Sequence, residues 1–367
     1  MTPKAAIRIE AEALFAAFQA AGAIPVEADL LLPAETLLDL YGEDIRARAY
    51  TTTDTLRGEM MLRPDFTVPV VQAHMQNGAD PARYCYLGEV FRKQDHLNTR
   101  ASEYLQVGFE LFDRTAPQSA DAEVFALFST LLAPLNLRAT TGDIGILMAA
   151  VQGLNTTPHR RAALLRHIWR PKRFRALLDR FAGRAAMPAA RAQVLEKLAT
   201  GALADLIEQA GTFIGLRSAD DIATRADALL TDAKTAPIAA PEAALLYDLL
   251  TLQAPAQNAL AHLRGITALL PAIEPAVDRF AARLEALQAR GINVQTLPFE
   301  ASHGRSQMEY YDGFVFSFHS TADLPAVASG GRYDALTAVL GQGRSIPAVG
   351  GIIRPNLVAQ LKAAAPC

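Results

Sequence analysis

The chain has little cysteine and no long apolar run, and both absences restrict the class of protein it can be. Only two of its 367 residues are cysteines, Cys85 and Cys367. Two thiols build neither a disulfide framework nor a cysteine metal cluster, which is typical of a reducing compartment. No run of about 18 uncharged apolar residues occurs, so no membrane-spanning helix is expected. Glu10 and Glu12 interrupt the apolar N-terminal segment, which argues against a signal peptide and predicts a cytoplasmic location.

The chain also lacks a net charge large enough to attract a polyanion. It carries 35 Lys and Arg residues against 38 Asp and Glu, a formal net charge of −3. No global field therefore attracts nucleic acid or an anionic membrane, and no glycine-rich loop of the dinucleotide or Walker type is present. The local exception is a basic segment at 159–175, which contains the only tryptophan, Trp169. This segment forms either a contact for RNA or an acidic partner, or a solvated helix face.

Two runs rich in apolar and aromatic residues predict a hairpin at the centre of the fold. The runs at 84–91 and 104–112 flank a polar, charged segment at 93–102, a pattern that indicates two antiparallel strands joined by a long basic loop. Alternation in the second run separates a polar face from an apolar one. The polar face carries Tyr104, Gln106, Gly108 and Glu110, and the apolar face carries Leu105, Val107, Phe109 and Leu111. One face is therefore expected to line a polar cavity while the other packs on a core.

Charged side chains beside this hairpin predict a site for both an anion and an ammonium group. Arg92 and Arg100 bracket the connecting loop, and the planar guanidinium offers paired donors to a carboxylate or phosphate. In extended chain, Asp65 and Thr67 project to the same side, where they accept hydrogen bonds from an ammonium. Two other interpretations remain open. The arginines and Glu110 form surface cross-strand pairs, or Pro64 starts a turn in which Asp65 caps a helix.

Composition separates the middle of the chain from the rest. Residues 155–254 are rich in Ala, Leu and Arg and nearly free of strand patterns, which predicts an insert of several short helices. Residues 1–154 and 255–367 mix helical and strand patterns, which predicts one discontinuous α+β core. Besides the hairpin, strands are predicted at 24–32, 60–71, 137–143, 292–299 and 308–318.

Five motifs together resemble the catalytic core of class II histidyl-tRNA synthetases. They are the RPDFT segment at 63–67, the hairpin with its arginines, glutamine and glutamate, EYYDGFVF at 309–316, GGRYD at 330–334, and VGGIIR at 349–354. The resemblance covers about 22–143 and about 292–357. It implies an α+β fold in which an antiparallel sheet flanked by helices cradles histidine and ATP, and it implies a dimer.

The resemblance also implies a role for each matching residue. In that family an acid and a strand amide hold the substrate α-amino group, an acid and a tyrosine hold the imidazole, and arginines bind the carboxylate and the ATP phosphates. No metal or other cofactor is implied for this chain. The positions carried over to a histidine pocket are Asp65, Thr67, Arg92, Gln106, Glu110, Tyr310, Tyr311 and Tyr333, and those carried over to an anion- or nucleotide-binding remnant are Arg100 and Arg354.

Three departures from the synthetases favour a protein that binds histidine without activating it. Where the synthetases have Arg-Gly-Leu-Asp-Tyr-Tyr, this chain has Ser-Gln-Met-Glu-Tyr-Tyr at 306–311. The missing arginine stabilises the attack on the α-phosphate, and losing such a charge typically lowers the rate about a hundredfold or more. Gln94 replaces a glutamate near the adenine, and no anticodon-binding domain of roughly a hundred residues is expected after Arg354.

The departures match a family of synthetase paralogues, the regulatory subunits of short-form ATP phosphoribosyltransferase. This resemblance implies a non-catalytic subunit of a glycosyltransferase complex, required for the first step of histidine biosynthesis. The expected partners are the catalytic subunit, a second copy of this chain and histidine as a feedback effector, without membrane or nucleic acid. The alternatives are a truncated but active histidyl-tRNA synthetase, and an RNA-binding module that uses residues 159–175.

Overall fold

A mixed sheet of nine strands carries the fold. The computed structural model describes residues 3–34, 47–94, 101–211, 218–305, 310–320 and 324–364, and within these ranges a second sheet has three strands. Arg100, Cys367 and the departure at 306–309 lie outside the described residues. The strands are β1 (Ile24–Pro25), β2 (Leu31–Pro33), β3 (Thr51–Asp54), β4 (Gly58–Leu62), β5 (Ala82–Phe91), β6 (Glu103–Phe112), β7 (Arg138–Asp143), β8 (Gln253–Pro255), β9 (Pro298–Glu300), β10 (Phe314–His319), β11 (Ala328–Arg332) and β12 (Ala348–Ile353).

The large sheet has the order β1-β5-β6-β12-β11-β10-β7-β9-β8, and the small sheet has the order β2-β4-β3. The centre of the large sheet is antiparallel, as predicted, but β1 pairs with β5 and β7 pairs with β9 in parallel. The predicted sheet flanked by helices is confirmed, and the two parallel pairs make it mixed toward its edges. Parallel neighbours require a long crossover, and here helices and other strands supply it.

Helices cover both faces of the large sheet. They are α1 (Lys4–Ala20), α2 (Thr67–Asn77), α3 (Pro117–Leu132), α4 (Ile144–Gln152), α5 (Pro158–Arg166), α6 (Pro171–Phe181), α7 (Ala189–Ala199), α8 (Leu203–Gln209), α9 (Ala219–Lys234), α10 (Ala240–Thr251), α11 (Ala256–Thr267), α12 (Glu274–Ala289), α13 (Asp334–Leu340) and α14 (Pro355–Ala364). Six of them, α5 to α10, fall within 155–254. In the described ranges, none of these helices combines the length and apolar character needed to cross a bilayer.

Strand alternation sends the two faces of β6 to different surroundings. Phe109 faces α1 and α3, where its ring lies 5.4 Å from that of Phe18, which in turn stacks on Phe128. Glu110 faces the opposite side, toward the start of α2. The predicted hairpin is confirmed, and Cys85 on β5 is fully buried as a small core residue. The aromatic core on one face thus supports the polar site on the other.

Three predicted strands were wrong in whole or in part, and a fourth, at 308–318, is shorter than predicted within the described residues, since β10 begins at Phe314. The strand at 24–32 is reduced to β1 and β2, and that at 60–71 ends with β4 at Leu62, after which α2 begins. Only β9 forms at 292–299, because Asn293 starts a turn instead. Its side chain accepts a hydrogen bond from the Gln295 amide (3.0 Å) and its carbonyl accepts one from Leu297 (3.1 Å). Asn favours such local bonds over a strand ladder.

Candidate functional site

A buried carboxylate, Glu110, lies at the centre of the polar face of the sheet. Its side chain is held by three hydroxyl groups: Thr67 and Tyr86 each donate to Oε1 over 3.0 Å, and Tyr333 donates to Oε2 over 2.6 Å. Burial raises the pKa of Glu110 to about 7, helped by the nearby charge of Asp65, while the three hydrogen bonds oppose the shift. At neutral pH this carboxyl group is therefore close to its titration midpoint.

Glycines on the neighbouring strands make room for this arrangement. Gly350 on β12 is paired with Glu110, and a Cβ placed on Gly350 would lie 1.5 Å from Glu110 Oε2. Gly108 is paired with Tyr86, and a Cβ there would lie 2.1 Å from the tyrosine ring. Any side chain at either position would displace the group opposite it. The sequence places glycine where the carboxylate and the phenol lie flat against the backbone.

Gln106 lies two pleats away on the same strand face and leaves an acceptor unused. Its side chain is 1% exposed, and its amide oxygen is buried without a hydrogen-bond donor among the described residues. An unsatisfied buried acceptor costs free energy comparable to a lost hydrogen bond, about 1–3 kcal/mol. A ligand N–H group that reached this oxygen would remove that cost.

Asp65 and Arg92 form a buried pair of an acidic and a cationic side chain beside this strand face. Asp65 is 3% exposed, and its Oδ2 lies 3.9 Å from Nη2 of Arg92, while Nε of Arg92 donates to the Pro64 carbonyl over 2.9 Å. The alternative in which Asp65 caps a helix is wrong. The N-cap position of helix α2 belongs to Phe66, the residue after Asp65, and the Phe66 side chain makes no capping hydrogen bond. The alternative of an exposed surface pair also fails, because Arg92, Asp65 and Glu110 are all largely buried.

The RPDFT segment is held in place by Arg63. Its Nε donates to the Glu89 carbonyl over 2.8 Å, and its guanidinium lies 4.0 Å from the centre of the Phe66 ring. Phe66 in turn stacks on Tyr86, with ring centres 4.4 Å apart and planes 11° apart. Arg63 therefore positions the segment that carries Asp65 and Thr67. Thr67 begins α2 and does not lie in extended chain, so the predicted local geometry was wrong, although both side chains reach the polar face.

Three tyrosines close the same side of the site. Tyr310 lies with its ring centre 5.0 Å from that of Tyr311 and 6.1 Å from that of Tyr333, and all three side chains are less than a tenth exposed. Burial raises the pKa of each phenol above its ordinary value. The phenols therefore remain neutral hydrogen-bond donors at physiological pH. The hydroxyl of Tyr333, rather than that of Tyr311, donates to Glu110.

Of the arginines predicted for an anion, Arg92 and Arg354 lie within the described residues, and the charge of Arg354 acts on the phenol of Tyr311. Nη1 of Arg354 donates to the Ala326 carbonyl over 2.6 Å. Burial lowers the pKa of His319, and the charge of Arg354 lowers it further. Gln94 donates to the carbonyl of Arg92 over 3.1 Å and so supports the strand end.

Among the residues that the structure describes, no group of three His, Cys, Asp or Glu side chains is arranged to hold a metal ion.

Two hydrogen bonds connect the helical middle of the chain to the core, one at Tyr311 and one at Arg305. Trp169 donates from its indole to the carbonyl of Tyr311 over 3.1 Å. Arg305 donates from Nε to the carbonyl of Ile168 over 2.6 Å, and its guanidinium lies 4.8 Å from the centre of the Phe174 ring. Burial and the neighbouring Arg175 lower the pKa of Arg305 to about 10. The arginine next in sequence to 306 thus points into the helical middle.

Two contributors to the site were missed at the sequence level. Tyr86 and Gly350 become neighbours of Glu110 only through the register of the strands, which cannot be read from the sequence. Tyr86 lies on the same face of its strand as Tyr84, which the alternation of the sequence indicates. The residue paired with it, Gly108, has no side chain and leaves room for the ring. The paired glycines of the VGGIIR motif favour a close approach of the backbone, but only the register shows that Gly350 lies against Glu110.

The chain matches a protein-family model described as histidyl-tRNA synthetase over residues 2–254 and 224–356. It is 32% identical over 354 residues to an ATP phosphoribosyltransferase regulatory subunit of Allorhizobium ampelinum, covering 93% of this chain and 94% of the relative. A protein of the same name from Agrobacterium fabrum is 33% identical over 339 residues, with 89% of each chain covered. The chain belongs to the family of ATP phosphoribosyltransferase regulatory subunits.

Solved structures agree on the fold of this regulatory-subunit family. A Bacillus halodurans protein described as an ATP phosphoribosyltransferase regulatory subunit/histidyl-tRNA synthetase superposes with a TM-score of 0.67 at 21% identity, covering 97% of this chain and 79% of that one. A histidyl-tRNA synthetase from Nostoc superposes with a TM-score of 0.64 at 15% identity, covering 99% and 73%. The fold is therefore the class II synthetase-like α+β fold that the motifs predict.

Proposed function

We propose that this chain is a non-catalytic regulatory subunit of ATP phosphoribosyltransferase and that it binds free histidine on the polar face of β6. The observation that carries the proposal is the unused amide oxygen of Gln106, buried on the same strand face as Glu110. Asp65 lies at 3% exposure and contributes a second acid. The ligand that suits such a site supplies several N–H donors and a carboxylate.

Histidine fits these groups end by end. Its ammonium donates to Gln106 Oε1 and to Asp65, and its carboxylate meets the guanidinium of Arg92. Its imidazole N–H donates to Glu110, which must then exchange at least one of its hydroxyl partners for the ligand. Tyr310 and Tyr311 are the side chains that must move to admit it, because the site residues are buried.

The orientation of Arg305, next in sequence to position 306, supports the proposal that this chain does not activate histidine. Position 306 is serine, and Arg305 beside it bonds to Ile168 and packs on Phe174. A guanidinium that donates from Nε to Ile168 and packs on Phe174 in the helical middle is not placed to stabilise charge on an attacking carboxylate. The curated relatives are named regulatory subunits, which favours this proposal over an active synthetase.

The expected partners follow from the proposal. The chain acts in the cytoplasm as a subunit of a glycosyltransferase complex with a separate catalytic chain, and it also pairs with itself. Histidine bound to this chain changes the affinity between the two kinds of subunit, and linkage then requires that the catalytic chain change histidine affinity by the same factor. Calorimetric titration of histidine with and without the catalytic chain measures that factor.

The direct test is histidine binding by the purified chain. Thermal unfolding followed with rising histidine should show stabilisation of about 2.7 kcal/mol at a hundred times the dissociation constant. Gln106→Leu and Asp65→Asn should remove most of this shift, whereas Asp278→Asn, an exposed acid on α12, should leave it intact. An unchanged shift in both pocket variants would place histidine elsewhere. Histidine-dependent exchange of pyrophosphate into ATP would instead favour the active synthetase.

A further inference from the structure

Two helices of the middle region face each other across a small cavity. Its volume is about 220 Å³, and both helices line it with side chains at positions i, i+3, i+4 and i+7. Such spacing is one continuous face of an α-helix. The central positions of both faces include alanines, which leave the space open, and the outer positions are polar. The lining residues on α5 are His159, Ala162, Ala163 and Arg166, and those on α9 are Arg225, Ala228, Leu229 and Asp232.

The cavity wall carries more positive than negative charge. Its one lining acid, Asp232, is already paired on both oxygens, with Arg160 Nε at 2.6 Å and with Arg191 Nη2 at 3.0 Å. The wall also contains Arg166, Arg180 and Arg225, and none of the ion pairs in the described ranges uses any of these three. A surplus of cations around a concave surface focuses a positive potential into it.

Arg180 on α6 adds an unused donor to this surplus. Its Nε is buried and has no hydrogen-bond acceptor in the part of the chain that the structure describes. Burial lowers the pKa of Arg180, and the neighbouring charges of Arg191 and Arg160 lower it further, while Asp232 opposes them. An anion in the cavity would supply the missing acceptor and offset the repulsion between these guanidinium groups.

The size of the cavity limits the anion to a small one. Pockets for drug-sized ligands span roughly 300–1,000 Å³, and this cavity is smaller, at about 220 Å³. A tetrahedral oxyanion suits the guanidinium donors, since arginine binds phosphate through paired N–H groups. The concave shape favours a compact phosphate group over the extended backbone of RNA.

We infer that the cavity between α5, α6, α7 and α9 binds a phosphate or pyrophosphate group of a small molecule, held by Arg180, Arg191 and Arg225. The site lies in the helical middle of the chain, apart from the residues proposed to bind histidine. It does not rest on the histidine proposal. It accounts for part of the basic segment at 159–175, since His159, Ala162, Ala163 and Arg166 line this open cavity.

Isothermal titration of the full chain with pyrophosphate tests the inference. Saturable binding is expected, and Arg180→Gln and Arg225→Gln should each weaken it about tenfold or more, because each removes a charge-assisted hydrogen bond. Arg225 is exposed, so its variant should fold as the parent does. The matched control is Arg173→Gln, an exposed arginine on α6 outside the cavity wall, which should bind within about twofold of the parent.

Three results would overturn the inference. The first is no heat of binding at millimolar pyrophosphate, and the second is equal pyrophosphate affinity in the parent and both cavity variants. The third is that single-stranded RNA binds more tightly than pyrophosphate and that all three arginine variants weaken RNA binding equally. The last result would assign the segment to RNA through its outer face. Loss of pyrophosphate binding with retained histidine binding, or the reverse, separates this inference from the proposed function.

Discussion

The buried carboxyl group of Glu110 makes the stability of this protein depend on pH in a predictable direction. Its pKa is about 7 in the folded chain against an ordinary value of 4.5. Between these values the folded state keeps a proton that the unfolded state has lost, so the free energy of unfolding falls as pH rises through this window. The stabilisation is fully present below pH 4.5 and lost above pH 7. At about 1.4 kcal/mol per pKa unit, the loss is about 3 kcal/mol.

The variant Glu110→Gln isolates this effect. The amide resembles the neutral carboxyl group in shape and cannot ionise, so the variant should lack the pH-dependent loss. Urea unfolding at pH 5 and pH 8 should show that the parent loses about 3 kcal/mol more than Glu110→Gln across this interval. Other titrating groups, such as Asp312 with a pKa of about 7, are common to both proteins and cancel in the difference.

A second variant on the same strand serves as the control. Glu103 is an exposed glutamate at the start of β6, and no ion pair or hydrogen bond of its side chain is recorded in the described ranges. Glu103→Gln should follow the pH profile of the parent within about 0.5 kcal/mol. Parallel profiles for the parent and Glu110→Gln would refute the reasoning, because the carboxyl group would then not keep its proton in the fold.

Three further predictions concern Gly350, Tyr333 and Arg332. Gly350→Ala should weaken histidine binding about tenfold or more in calorimetry, since the new Cβ would lie 1.5 Å from Glu110 Oε2, whereas Gly265→Ala, in the open on α11, should stabilise the chain by about 0.5–1 kcal/mol. Tyr333→Phe removes the 2.6 Å hydrogen bond to Glu110, so it should cost about 1–3 kcal/mol in urea unfolding and move the pH-dependent loss to higher pH; an unmoved midpoint would contradict the assigned donor. Arg332→Ala breaks its buried ion pair with Asp121, with N–O distances of 2.7 and 3.0 Å, and should cost about 3–5 kcal/mol; a loss below about 1 kcal/mol would show that the pair relaxes into water.

The central hairpin was predictable because its signals are local. Alternation in β5 and β6 is strict enough to define two faces, and the motif residues Gln106 and Glu110 both fall on the polar one. By contrast, the start of α2 was predicted as a strand because Thr67, Val68 and Val71 are β-branched. Burial of that helix face against the sheet outweighs the propensity.

The detailed partners of the site were not predictable from local pattern. Tyr333 donates to Glu110 across 223 positions of sequence, and Thr67 does so across 43. Such contacts depend on the register of β11 and β12 against β6, which a one-residue slip would reverse. The resemblance to a known family supplied the residues, and the structure supplied which of them touch.

The bonds made by Ile168 and Trp169 have a mechanical consequence. The Ile168 carbonyl accepts a hydrogen bond from Arg305, and the Trp169 indole donates one to the Tyr311 carbonyl. Two adjacent residues therefore bond to the chain on either side of position 306, where the activating arginine of the synthetases is replaced. Because the indole bonds to the backbone carbonyl, a molecule that shifts the backbone of Tyr311 must either break this bond or move Trp169 with it. A ligand at the proposed histidine site that moved the Tyr311 backbone and kept this bond would therefore also move the turn between α5 and α6 that carries Trp169.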